Sequence, residues 1–257
     1  MAQLIPSFSV FLLIFVRVSA FFVTMPLFSY RTIPAIYRIG FAFLLAWLMY
    51  YTLDVPGFEI DAHYFMLIIK EAMVGLFIGF IAYLILAAIQ IAGGFIDFQM
   101  GFAIANVIDP QTGTQSPLMG QYLYSFALLL LLALNGHHII LDGIFYSYNF
   151  IPIDKAIPFG NGDLIEFIIK AFSKMFVIAF QMSIPIVASL FLVDIALGII
   201  ARTVPQLNIF VVGFPVKIAV SFIVLIIVMG VIFSVSQRLF ELMFYTMRDV
   251  MKLVGGT

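Results

Sequence analysis

A short polar stretch comes closest to a catalytic or metal-binding cluster in this sequence: Asn135, Gly136, His137, His138 and Asp142. On a helix, His138 and Asp142 would share one face, because residues four positions apart are neighbours, and together they could bind a cation. Two ligands do not complete a metal site, and His63 is distant in the sequence. The chain has no cysteine, and neither HExxH nor GxSxG occurs. We therefore interpret residues 135–138 as a polar turn and expect no metal, cofactor or catalytic residue; an intramembrane hydrolase is an alternative.

Three charged residues stand within or at the ends of apolar runs: Arg17, Asp97 and Asp194. An unpaired arginine at the centre of a membrane helix costs about 2.5–3.5 kcal/mol on insertion scales, so Arg17 needs a partner or access to water. It could contact another protein or line a pore, or it could pair within the chain or reach the membrane surface. Asp97, at the end of an apolar run, likewise needs a partner or access to water. For Asp194 we expect an ion pair with Arg202 or Lys217.

The composition determines what kind of element carries these residues. The chain has 257 residues, of which 64% are apolar and 10% charged, and its mean hydropathy is +1.19. Soluble domains average about 45–50% apolar and about 25% charged residues. The sequence therefore predicts a polytopic membrane protein rather than a soluble globule. The net charge of −1, without clusters of lysine or arginine, excludes nucleic-acid binding, and the absence of cysteine excludes disulfides.

Apolar runs of about 18 or more residues predict membrane helices, because a helix rises about 1.5 Å per residue across a hydrocarbon core of about 30 Å. We expect an all-α polytopic membrane protein with about six such helices, near residues 3–27, 37–53, 65–96, 118–134, 168–200 and 214–235. Residues 237–253 predict a helix that continues from the sixth segment with a narrow polar face. The first run lacks a cationic region before it, so we expect it to be retained rather than cleaved.

The distribution of basic residues conflicts with six full crossings. Arg31 and Arg38 make the first loop basic and the second loop is acidic, which places the first loop in the cytoplasm by the positive-inside rule. Six crossings would then leave the basic tail, with Arg238 and Arg248, outside. Either one segment does not cross fully or the rule fails here. Our candidate for a re-entrant hairpin is residues 118–134, and such backbone persists at membrane depth only where protein or a cavity surrounds it.

Small residues at helical spacing indicate close helix packing. Gly75 and Gly79 form a GxxxG pair, and Gly93 and Gly94 lie further along the same apolar run. Small residues let helix backbones approach each other in lipid, where the hydrophobic effect no longer drives helix association. We expect these four glycines to pack against helices of this chain or of other subunits.

Three stretches of the sequence resemble one protein family. They are residues 15–28 with 31–34 and 38–40, residues 93–103 with 109–117, and residues 134–138. The specific combination is Gln99-Met-Gly-Phe with Asp109-Pro and Asn135-Gly-His-His. In these features the chain is similar to the FliR/SctT family of type III export gates, whose members serve flagella or virulence injectisomes. The resemblance covers nearly the whole chain, with specific residues up to about Pro152.

This resemblance implies a non-enzymatic core subunit of the flagellar export gate. One copy would complete a helical assembly with FliP and FliQ and form the conduit for unfolded flagellar proteins. The assembly would lie in the bacterial inner membrane, within the flagellar basal body, with FlhB and FlhA as further partners. Residues 1–135 would resemble FliP and residues 136–257 FliQ, both built of helical hairpins. An injectisome subunit is the alternative, and a small secondary transporter is a further one, although only one region is strongly interrupted by glycine and proline.

The resemblance also implies a plug, which is a loop that lies in the lumen of the closed gate and blocks leakage. It would match residues 106–117, with these site residues: Asn106, Asp109, Pro110, Gln111, Thr112, Gly113, Thr114, Gln115 and Pro117. The family assigns no chemical role to Arg17, His137 or His138.

Overall fold

Seven α-helices form the regular structure of the residues described by the computed structural model, which are 7–29, 33–53, 55–102, 117–155, 163–206 and 208–256. The helices are α1 Phe8–Thr24, α2 Ala35–Tyr50, α3 Ala62–Met100, α4 Leu118–Ala133, α5 Gly136–Phe150, α6 Asp163–Thr203 and α7 Ile209–Gly255. These ranges contain no strand. The all-α fold that the composition predicts is confirmed.

Three of the described helices are long and apolar enough to cross a membrane on their own: α3, α6 and α7. By contrast, α1 and α2 have 17 and 16 residues. At about 1.5 Å per residue they rise about 25 Å, less than the thickness of a hydrocarbon core. The last helix, α7, continues without a break through residues 237–253, as the polar stripe predicts.

The hydropathy pattern predicts no helix between residues 134 and 168, yet α5 forms there. It follows α4 with a bend of 74°, and the bent pair is apolar enough to be one broken span or a re-entrant loop. Asn135 lies at the bend with a φ of 56°, a left-handed conformation that asparagine tolerates better than most residues. The expected polar turn is therefore confined to residues 134–135, and residues 136–138 form the first turn of α5.

The described residues fall into two compact units. The first contains those of Met1–Ile85, Asn135–Ala171 and Glu241–Thr257, and the second contains those of Leu86–Leu134 and Phe172–Phe240. Each unit includes residues from both halves of the sequence. The division at residue 135 into a FliP-like and a FliQ-like half stays a prediction.

Helical periodicity explains the core of the first unit. Along α1, apolar residues recur every three or four positions and are completely buried: Val10, Leu13, Ile14, Val18 and Phe21. Aromatic rings join α1 to α2, with Phe11 and Phe43 in an edge-to-face contact at 5.1 Å between ring centroids. α5 contributes Ile140, Ile144 and Tyr148 from one face, which is why it folds as a helix despite its polar residues.

Candidate functional site

Arg17 in α1 is fully buried, and three residues accept hydrogen bonds from its guanidinium. Its Nε donates to Oε2 of Glu71 at 2.5 Å and its Nη2 donates to Oε1 at 2.9 Å, which makes a bidentate pair. Nη1 donates to Oγ of Ser147 at 3.0 Å, and Nη2 also donates to the carbonyl of Ile151 at 2.8 Å. The guanidinium carbon lies 3.8 Å from the centroid of the Tyr148 ring. The Arg17 guanidinium thus has a carboxylate partner in the same chain.

Lys70 extends this cluster to the segment that follows α5. Its Nζ lies 2.9 Å from Oε1 of Glu71 and donates to the carbonyls of Pro152 and Ile153 at 2.5 and 3.0 Å. Two cations thus share one buried carboxylate, and the Ser147 hydroxyl and three backbone carbonyls accept further hydrogen bonds from them. Glu71 is not among the sequence-predicted site residues. The signal that identifies it is a carboxylate within an apolar run, which requires a partner as Arg17 does.

Gly75 and Gly79 make this ion pair possible by bringing α3 close to α1. A Cβ atom on Gly75 would overlap the carbonyl oxygen of Arg17, and one on Gly79 would overlap Oγ1 of Thr24. Glu71, Gly75 and Gly79 are spaced four positions apart, so all three lie on the α3 face that contacts α1. In the described residues, the GxxxG pair thus faces α1 of the same chain.

Asp97 in the second unit is 2% exposed and holds the beginning of α4. Its Oδ1 and Oδ2 lie 3.2 and 3.1 Å from the backbone nitrogen of Met119, which donates to the carboxylate. The residue before α4 is Pro117, which supplies no side-chain cap. A carboxylate from another helix thus takes the place of a local cap at the positive end of α4.

Gly93 allows the same approach of α3 to α4, and Gly94 faces the residue before α4. A Cβ atom on Gly93 would overlap the backbone of Gly120, and one on Gly94 would lie 3.6 Å from Cγ of Pro117. Both glycines therefore pack within the second unit.

An ion pair connects α6 to α7 in this unit. Asp194 Oδ1 contacts Nζ of Lys217, one of the two bases that the sequence suggested. Nε2 of Gln99, in α3, donates to Asp194 Oδ2 at 2.8 Å. Two positions after Gln99, Gly101 ends α3 with a φ of 91°, which favours glycine.

The described residues on either side of the segment 103–116 are Phe102 and Pro117. On one side, the Phe102 ring makes an edge-to-face contact with Phe214 at 6.3 Å. On the other side, Pro117 leads directly into α4. The predicted plug residues from Asn106 to Gln115 lie outside the described residues.

The two histidines lie in the first turn of α5, with ring centroids 4.1 Å apart. Among the described residues, no group of three or more His, Cys, Asp or Glu side chains is placed to hold a metal ion. That His137, His138 and Asp142 carry no metal or catalytic role stays a prediction.

Comparison with known proteins identifies the family. Residues 8–243 match the family model described as bacterial export proteins, family 1. The chain belongs to this family, the FliR/SctT family. It is 61% identical over 257 residues to the flagellar biosynthetic protein FliR of Bacillus subtilis (strain 168), and the match covers 99% of each chain. The sequence-based resemblance to this family is confirmed.

More distant relatives come from flagellar and virulence systems. Flagellar biosynthetic protein FliR of Escherichia coli (strain K12) is 29% identical over 237 residues, covering 91% of this chain and 89% of that protein. Yop proteins translocation protein T of Yersinia pestis is 30% identical over 214 residues, covering 82% of each chain. The sequence identity of this chain to the Bacillus subtilis flagellar protein is thus about twice its identity to the Yop protein.

Proposed function

We propose that this chain is a non-enzymatic core subunit of the flagellar type III protein export gate. The observation that carries the proposal is the 61% identity to a flagellar FliR protein along 99% of both chains. The 30% identity to a Yop translocation protein over 82% of the chain supports the broader assignment to type III export. The difference between these identities favours the flagellar branch over an injectisome.

Poor burial of the long helices supports a role inside an assembly. In the most apolar stretch of α3, 56% of the residues are buried, but the corresponding shares are 11% for α6 and 17% for α7. Lipid or neighbouring subunits must cover these apolar faces, since water does not. We infer that FliP and FliQ subunits cover part of them, with one copy of this chain per gate in the bacterial inner membrane. FlhB and FlhA complete the apparatus in the flagellar basal body.

The contacts around residues 103–116 support a plug in that segment. Asp97 binds the start of α4, and Phe214 contacts the ring of Phe102, so the residues on both sides of the segment are held. Residues 106–117 would then close the conduit between fixed ends while the export substrate is absent. In this proposal Asn106, Asp109, Pro110 and the stretch Gln111–Gln115 act by occupying space, and no residue of the chain performs a chemical step.

Native mass spectrometry of the tagged chain, coexpressed with its neighbouring genes and purified in mild detergent, tests the assignment. A large hetero-oligomer with one copy of this chain is the expected result. A stable monomer or homodimer that binds a small solute would contradict the proposal and favour a secondary transporter. A motility assay in a cell lacking its own FliR, rescued by this gene, separates the flagellar from the injectisome branch.

A further inference from the structure

Two isolated charges pair between the long helices α6 and α7. Asp194 is the only charged residue between Lys174 and Arg202, and Lys217 is the only one between Arg202 and Arg238. Asp194 Oδ1 contacts Nζ of Lys217, and both side chains are partly buried. A charged residue within a long apolar helix is costly to insert into a membrane, and such residues commonly mark a functional site. The other contacts of this pair indicate which part of the chain depends on it.

The second oxygen of the Asp194 carboxylate holds the last turn of α3. Gln99 Nε2 donates to Asp194 Oδ2 at 2.8 Å, while Lys217 contacts Oδ1. A hydrogen bond to an ionised acceptor is shorter and stronger than one between neutral groups. Lys217 thus compensates the charge of Asp194, and the remaining oxygen is available to Gln99.

The end of α3 has a second contact with α7, through Phe214. This residue precedes Lys217 by three positions, so both lie on one face of α7. A Cβ atom on Gly101 would lie 3.1 Å from Cε2 of Phe214, and the Phe102 ring makes its edge-to-face contact with the same ring. The residues that lead from α3 into the segment 103–116 are therefore held by α6 and α7 together.

We propose that Asp194 is a positioning residue for the plug and acts through Gln99. This inference rests on the proposed function of the segment that follows α3. Lys217 orients the Asp194 carboxylate, and the carboxylate fixes Gln99, which lies four positions before that segment. Loss of the hydrogen bond between Gln99 and Asp194 releases the end of α3 and lets the plug leave its closed position more often.

The experiment reverses the hydrogen bond between positions 99 and 194 and measures the conductance of the purified complex in planar bilayers. Gln99→Glu places two carboxylates opposite each other, and we expect ion leakage to rise about two- to tenfold, the ratio for one lost hydrogen bond. Adding Asp194→Asn to Gln99→Glu restores a donor and an acceptor with their roles exchanged, so leakage should return to that of the unmodified complex. Gln237→Glu makes the same exchange on an exposed face of α7 and is the matched control, with no expected change.

The rescue separates positioning from general damage, because two independent structural defects would make the double variant worse than Gln99→Glu alone. Unchanged leakage in Gln99→Glu, or high leakage that persists in the double variant, would overturn the proposal. Gln99→Met removes the donor without adding a charge, so it should also raise leakage, and it provides the test if Gln99→Glu does not assemble.

Deletion of Gln111–Ser116 is the reference that separates this proposal from the proposed function. If the deletion raises leakage and the variants at position 99 do not, the plug stands and the role of Asp194 is wrong. If neither change raises leakage, the plug itself is contradicted, and the positioning role with it.

Discussion

The carboxylate of Asp97, in α3, accepts hydrogen bonds from the backbone amide of Met119, in α4, although 22 positions separate the two residues. This contact takes the place of the side-chain cap that a helix normally has at its own N-terminus, and it holds the start of α4, which follows the segment 103–116, against α3. The proposed plug depends on such fixed ends, because a loop that closes a conduit must be held on both sides.

Removing this contact should loosen the start of α4. Asp97→Ala leaves the Met119 amide without an acceptor, and we expect a loss of about 1–3 kcal/mol in the free energy of unfolding. Asp97→Asn keeps an acceptor oxygen but no charge, so its loss should be smaller. Hydrogen exchange at the Met119 amide measures the effect locally. An exchange rate that is the same in the Ala variant and the unmodified chain would show that Asp97 does not hold the start of α4.

The ion pair between Arg17 and Glu71 should behave as a coupled unit. Glu71→Leu leaves the buried Arg17 without its carboxylate, and we expect it to cost about 3–5 kcal/mol. Arg17→Met should cost less, because Glu71 keeps its contact with Lys70. The double variant should be destabilised by clearly less than the sum of the two. Thermal unfolding in detergent measures this difference. Additive effects would show that the two side chains do not stabilise each other.

An exposed pair provides the control for that cycle. Glu166 and Lys170 form an ion pair one helical turn apart on the surface of α6, 2.5 Å between Oε1 and Nζ. Because solvent screens exposed charges, replacing either residue by glutamine should leave the unfolding temperature unchanged. A large loss at this control would mean that the assay reports general damage.

The closely packed glycines should tolerate no side chain. A methyl group at Gly75 or Gly93 would overlap backbone atoms of α1 or α4, so Gly75→Ala and Gly93→Ala should lower the yield of folded chain in the membrane. A methyl group at Gly198 in α6 would meet no atom of the described residues within 4 Å, so Gly198→Ala is the matched control. Detergent-extracted protein that elutes as a single species measures the yield. Equal yields for all three variants would refute the close approach of the helices.

The polar residues of α5 should be dispensable for chemistry. His138→Asn and Asp142→Asn remove the pair with metal-ligand spacing in this helix, and we expect flagellar export to remain largely intact. Secretion of flagellar proteins into the medium is the measurement. Complete loss of export by chains that accumulate normally would instead indicate a cation site or a catalytic role.

Apolar periodicity predicts most of the helices but not their partners. The apolar runs that form α1 to α4, α6 and α7 can be recognised in the sequence, because each of these helices has a continuous apolar surface. α5 is hidden because His137, His138 and Asp142 interrupt its hydropathy, and only burial of Ile140 and Ile144 reveals it. Its identification requires the tertiary fold.

The polar contacts show the same limit. The sequence indicates that Arg17 needs a partner, but Glu71 is 54 positions away and pattern alone cannot select it. The partner of Asp194 is easier to predict, because Lys217 is one of the two bases that the sequence suggests for it. The partner of Asp97 is the hardest to predict, because it is a backbone amide and the pattern of side chains in the sequence does not indicate which amide that is.

Conductance of the purified complex in planar bilayers distinguishes a plugged conduit from an unplugged one. If residues 106–117 close the conduit, deletion of Gln111–Ser116 raises ion leakage above that of the unmodified complex, while native mass spectrometry shows the same subunits in the same numbers. Unchanged conductance in a normally assembled complex would contradict the assignment of residues 106–117 as the plug of an export gate.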